Sequence, residues 1–215
     1  MNENLFETRY DVTKKSRLKE FYDVNKILIY SVILILIIAI ASVGFYSEVK
    51  KKKEILLSDK YLVAKVYLEN SDKNKATNIL KSVIFDNDST YSTLSLFLIL
   101  NENLIADQRE LSNLFDHVLK NNKFEKEVKN LIIFKKALFQ SNFVSELELL
   151  DSVKPLINTE TAWKPHALLL LGDYFASKKE YLKAKELYLQ ILSLKNLHQE
   201  LYNQARSRLI FVTND

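Results

Sequence analysis

The sequence predicts an all-α protein in which one N-terminal transmembrane helix precedes a solenoid of antiparallel helix pairs. Three observations carry that expectation. The 215 residues contain two glycines and two prolines, too few for the many tight turns of a β-sandwich or barrel. One stretch near the N-terminus is uncharged over the length of a bilayer core. After it, apolar residues recur at helical spacing between short polar breaks.

Composition sets the outer limits. Hydrophobic content of 47% with 27% charged residues belongs to a folded chain rather than a disordered one. The chain has no cysteine, which removes disulfide frameworks, thiolate metal centres and cysteine nucleophiles from consideration. Net charge is +4, and outside the run at 50–53 the basic residues are mixed with acids. That is not the footprint of a nucleic-acid binder.

The chain divides into an N-terminal segment at 1–26, a transmembrane helix at 27–46 and a helical repeat domain at 47–215. The span, ILIYSVILILIIAIASVGFY, carries no charge, and as a helix it matches about 30 Å of hydrocarbon. Tyr30, Phe45 and Tyr46 stand near its ends, where aromatic rings favour the interface. The competing expectation is a cleaved signal peptide, since Ala39 and Ala41 satisfy a small-x-small pattern. The long preceding segment, with Glu3, Glu7, Asp11, Glu20 and Asp23, favours an uncleaved anchor. Orientation is not readable from charge. Arg9, Lys14, Lys15, Arg17, Lys19 and Lys26 precede the span, and Lys50, Lys51, Lys52, Lys53, Lys60 and Lys65 follow it, a tie under the positive-inside rule.

Beyond the span, DKYLVAKVYLEN places Leu62, Val66 and Tyr67 at helical spacing, SDKNK interrupts, and ATNILKSVIF resumes. Asp88 and Ser89 then offer helix N-caps. Pairs of helices of about 12–15 residues, joined by short turns, recur four times. The last pair is clearest. Leu168, Leu171, Gly172 and Phe175, followed by Tyr181, Ala184 and Tyr188, have the spacing of a tetratricopeptide unit. Gly172 and Ala184 are expected to set a close crossing of its two helices. Weaker copies are Ala64, Tyr67, Ala76 and Leu80; Ile99, Leu111 and Phe115; and Ile133, Ser145 and Leu149. The anchors Ala76, Leu111, Ser145 and Ala184 lie 35, 34 and 39 residues apart, near the 34-residue period of that repeat.

On these residues the chain resembles the bacterial single-span tetratricopeptide-like proteins related to the ancillary subunit of the Sec translocon, alphaproteobacterial members especially. The resemblance rests on RLKEFYDVNK leading straight into the span, on Trp163–Lys164–Pro165 within AWKPHALLLLGDYF, and on KAKELY followed by the last helix LYNQARSRLIFV. The chain departs from the pattern at Lys179, where a turn glycine is usual, and its middle units align poorly. The resemblance implies a single-pass inner-membrane protein with a cytosolic N-terminus and a periplasmic repeat domain. It also implies a place in protein translocation or a chaperone network. On that topology a helix continuing from the span would carry the lysines at 50–53 to phospholipid headgroups.

No catalytic constellation is readable. His117, His166 and His198 stand apart and form no HExxH pair, and no glycine-rich phosphate loop exists. Glu146, Glu148 and Asp151 read as a solvated helix face. No enzyme activity, metal or cofactor is expected. Function is expected instead on the concave surface that first helices form in a solenoid. There Tyr61, Lys65 and Leu68, then Asn130, Phe134 and Ala137, then His166, Leu169, Asp173 and Ser177 should meet a partner chain. The expected partners are proteins: translocon components, chaperones or client chains, with no nucleic acid and no small-molecule substrate. The alternative is an envelope-assembly or cell-division scaffold that works without the translocon.

Overall fold

The computed structural model describes residues 17–214, with side chains from 19 to 213. Arg9, Lys14, Lys15 and the rest of residues 1–16 lie outside the described residues. All regular structure among the described residues is helical: α1 (Arg17–Glu69), α2 (Lys73–Phe85), α3 (Ser89–Asn101), α4 (Gln108–Asn121), α5 (Lys126–Gln140), α6 (Glu146–Ile157), α7 (Lys164–Ser177), α8 (Tyr181–Leu192) and α9 (Gln199–Asn214). The chain forms two compact units, the first ending at Ile55 and the second beginning at Leu56.

In the first unit, α1 contains an apolar 18-residue window with a mean hydropathy of 2.9 and no residue buried. By length and composition the helix can cross a membrane. It does not stop where the apolar run ends, because nothing there breaks it: Glu48–Lys52 and Lys50–Glu54 pair at 3.2 Å and 3.6 Å, one turn apart along its surface. The expected continuation of the helix past the span is present.

In the second unit, consecutive helices from α2 to α9 pack side by side, and α2–α4, α5–α7 and α7–α9 also touch. Two apolar clusters form the interior. Ala64, Leu80, Ile84, Leu96, Phe115 and Ile132 belong to one. Ala137, Leu149, Leu168, Leu171, Tyr188 and Ala205 belong to the other. Helix α5 serves both, because Ile132 and Ala137 point to different neighbours.

The repeat register emerges from helix starts. The fourth residue of α2, α4, α6 and α8 is Ala76, Leu111, Leu149 and Ala184, and each is buried. Twelve positions earlier stand Ala64, Ile99, Ala137 and Gly172, also buried. The α5–α6 pair therefore corrects the sequence alignment by one helical turn: Ala137 and Leu149 hold the places assigned to Ile133 and Ser145. A shift of four residues keeps an apolar stripe on the same face, so periodicity alone could not tell the two registers apart. Ser145 is instead the N-cap of α6, with Glu148 closing a reciprocal capping box.

Caps and turns define the remaining ends. Asp72, Asp88 and Asp107 accept backbone N–H groups at the starts of α2, α3 and α4. Asp88 is the cap, and Ser89 is the first helical residue. After α7, Lys179 N donates to Ala176 O at 3.0 Å and Glu180 N to Phe175 O at 2.9 Å, a Schellman closure. It holds Lys179 at φ 63°, in the left-handed region that favours glycine.

Candidate protein-binding face

The end of the second unit is fixed by a polar group on an apolar bed. Helices α7 and α8 meet where Gly172 has no side chain, and the ring of Tyr188 fills that space. Tyr188 stands one turn beyond Ala184 on α8, and Ala184 is itself buried in the surrounding cluster. Tyr188 Oη donates to Asp173 Oδ1 at 2.8 Å. Arg208 Nε, from α9, donates to the same oxygen at 2.5 Å. Burial, and then the hydrogen bond to the Asp173 carboxylate, push the Tyr188 phenol far above its ordinary value. One carboxylate therefore ties three helices, and Asp173 faces its own neighbours.

A ring cluster joins α5 to the start of α7. Trp163 is the residue before α7, and Pro165 sits in its first turn, where a missing N–H costs nothing. Trp163 Nε1 donates to Glu127 O at 3.1 Å, and Ala162 N donates to Glu127 Oε2 at 3.2 Å. These bonds hold the indole against Phe134, with centroids 5.5 Å apart and planes at 27°. His166 completes the cluster, 5.8 Å from the Phe134 ring and 5.2 Å from Trp163. Its Nδ1 donates to Ala162 O at 3.3 Å. Asn130, one turn before Phe134, is buried, and its Nδ2 has no hydrogen-bond partner.

Two hollows flank these elements. A cleft of about 780 Å³ is lined by residues of the α6–α7 link, α7, the α8–α9 link and α9, including His166, Leu197, His198, Leu201 and Gln204. A more apolar hollow of about 430 Å³ lies between α3 and the start of α5, lined by Thr90, Leu94, Phe97, Phe124, Val128 and Leu131. Leu94 and Val128 remain well exposed there.

The expected groove residues are distributed unevenly. Phe134 and His166 come together in the ring cluster. Tyr61 is half-buried, 6.4 Å from the Tyr91 ring, and burial raises its phenol pKa. Lys65 is exposed and Leu68 half-buried. Leu169 packs partly buried on the core, and Ser177 is exposed. Two expectations need correction. Ala137 lies wholly in the core, because it holds the small-residue position of its helix pair. Asn130 is buried rather than presented on a surface. Sequence reasoning passed over Leu94, Phe97, Val128 and Leu131. Their signal was an i, i+3 apolar pair at each site, but that spacing also describes a core face.

His117 and Glu148 have structural partners. His117 Nε2 donates to Asn87 Oδ1 at 2.8 Å, and its Nδ1 accepts from Asn121 Nδ2 at 3.1 Å, which ties α4 to the end of α2. Glu148 accepts the Ser145 backbone N–H and hydroxyl, which hold its carboxyl below the usual carboxylate range. Among the described residues no group of three or more His, Asp or Glu is placed to hold a metal ion. No family model matches the chain, and neither a curated protein nor a solved structure does.

Proposed function

We propose that this chain is a membrane-anchored, tetratricopeptide-like scaffold that binds protein partners at the cell envelope, as an ancillary component of a Sec translocon or of a periplasmic chaperone network. The observation that carries the reading is the apolar hollow between α3 and α5, where Leu94, Phe97, Val128 and Leu131 line an open surface. Helical-repeat arrays bind chain segments on such surfaces. Supporting it are the four buried small-or-aliphatic positions that recur in register and the apolar α1 helix, which would concentrate weak binding beside the membrane. The proposed topology is single-pass in the inner membrane, with the repeats in the periplasm.

The binding site is tested with purified full-length protein in mild detergent and a fluorescein-labelled leucine-rich peptide as probe. Leu94→Asp and Val128→Asp should each abolish the anisotropy change while leaving the melting midpoint in place. Binding that survives both changes removes the hollow as the site. The cellular role is tested by crosslinking in intact cells, and recovery of translocon subunits is the expected outcome. A reporter active only outside the cytosol, fused after Asp215, should be active. A mature N-terminus near Ser42 would favour the released envelope scaffold instead.

A further inference from the structure

Solenoid arrays usually end in polar faces, because an end helix has one neighbour fewer than the others. Here both end helices of the second unit break that rule. The part of α1 in this unit buries Leu57 and Ala64 against the array. Its opposite face carries Leu56, Leu62, Val63 and Val66, each between 47% and 55% exposed. Asp59, exposed, sits among them. Asp59, Leu62, Val63 and Val66 follow the i, i+3, i+4, i+7 spacing of one helix face. At the other end, α9 buries Ala205 and Val212 and exposes Tyr202, Ile210 and Phe211. Arg206, also exposed, stands between Tyr202 and Ile210 at the i, i+4, i+8 positions of that face. Neither Asp59 nor Arg206 forms an ion pair among the described residues.

We infer that these two faces recognise each other in different copies of the chain, α9 of one protomer packing on the 56–66 face of the next. The charges choose this arrangement. Pairing α9 with α9 about Arg206, the middle of its face, would set two arginines together, and pairing α1 with α1 would bury Asp59 with no base opposite it, both costly. The crossed pairing puts one acid against one base, with aliphatic and aromatic side chains around both. Because the two surfaces differ, the contact is head-to-tail, and it either closes into a ring or continues as a row. This inference does not rest on the proposed partner-binding hollow, which lies on other residues.

The cysteine-free chain allows a direct test. Full-length Leu62→Cys and Ile210→Cys proteins, with different affinity tags, are mixed in detergent and in liposomes and then oxidised. The expected product is the disulfide between Leu62→Cys and Ile210→Cys copies, in excess over either self-crosslinked product. Predominant self-crosslinking overturns the head-to-tail contact. So does the absence of any crosslink in both media, including the case in which a thiol at 62 is shielded by lipid alone. A charge cycle read by sedimentation provides the second measurement. Asp59→Arg and Arg206→Asp should each weaken self-association roughly tenfold, and the double reversal should restore it. Equal weakening without restoration removes the Asp59–Arg206 pairing.

Discussion

The ring of Tyr188 occupies the space into which a side chain at Gly172 would project: a Cβ there would meet Tyr188 Cδ1 at 2.9 Å and Cζ at 3.0 Å, with Cε1 closer still. Glycine in a helix costs about 1 kcal/mol against alanine, so Gly172→Ala should stabilise an unconstrained helix. Here Tyr188 cannot swing away cheaply, because its ring is buried and its hydroxyl is held by Asp173. Gly172→Ala is expected to destabilise the second unit by ~1–3 kcal/mol, an overpacking cost. Urea denaturation checks this. In the Tyr188→Leu background the same change should become neutral or favourable, and additive losses would show that the ring is not the obstacle.

Lys179 adopts a left-handed backbone with φ 63°, which costs a side-chain-bearing residue about 1–2 kcal/mol relative to right-handed conformations. Glycine adopts it freely but gives up more chain entropy on folding. Lys179→Gly should therefore raise stability by ~0.5–1 kcal/mol, and Lys179→Val should lower it. A higher melting midpoint for the glycine variant than for wild type is the expected reading.

Asp173 accepts from both Tyr188 and Arg208. Asp173→Ala leaves a buried phenol and an arginine without their acceptor, and is expected to cost ~1–3 kcal/mol. Docking of α9 should loosen first. Hydrogen exchange should show α9 amides losing protection at lower denaturant than those of α2 and α3.

The phenol of Tyr188 is raised far above the ordinary value of 10.0 by burial and by Asp173. An acid whose folded pKa lies above its unfolded one contributes fully below the unfolded value. As pH rises past that value the unfolded chain alone releases the proton, and stability falls. Above about pH 10, wild type should lose urea resistance more steeply than Tyr188→Phe. Parallel losses in the two proteins would remove Tyr188 as the source.

Much of this architecture was legible in the chain itself. The uncharged run at 27–46 and the scarcity of glycine and proline speak for a long apolar helix and an all-helical fold without any long-range information. Asp88 could be read as a cap because capping is local chemistry. The third helix pair was misaligned because Ile133 and Ala137 lie one turn apart on the same face, and only the start of α6 at Glu146 separates them. Among the expected groove residues, Phe134 and His166 converge. Asn130 and Ala137 do not reach the surface, since the neighbours that cover them come from other helices.

What the sequence by itself determined is what depends on neighbours within a few positions: helices, their caps, their apolar stripes and the membrane-length run. Only the tertiary structure decided which side of each stripe is covered. The same i, i+3, i+4 spacing that buries Leu57 and Ala64 also builds the exposed row of Leu62, Val63 and Val66, and the pattern is silent on which row meets a neighbour. Gly172 shows the same division. Its helical context was plain from the chain, but the Tyr188 ring over it was not, because only the way α7 packs on α8 brings that ring there.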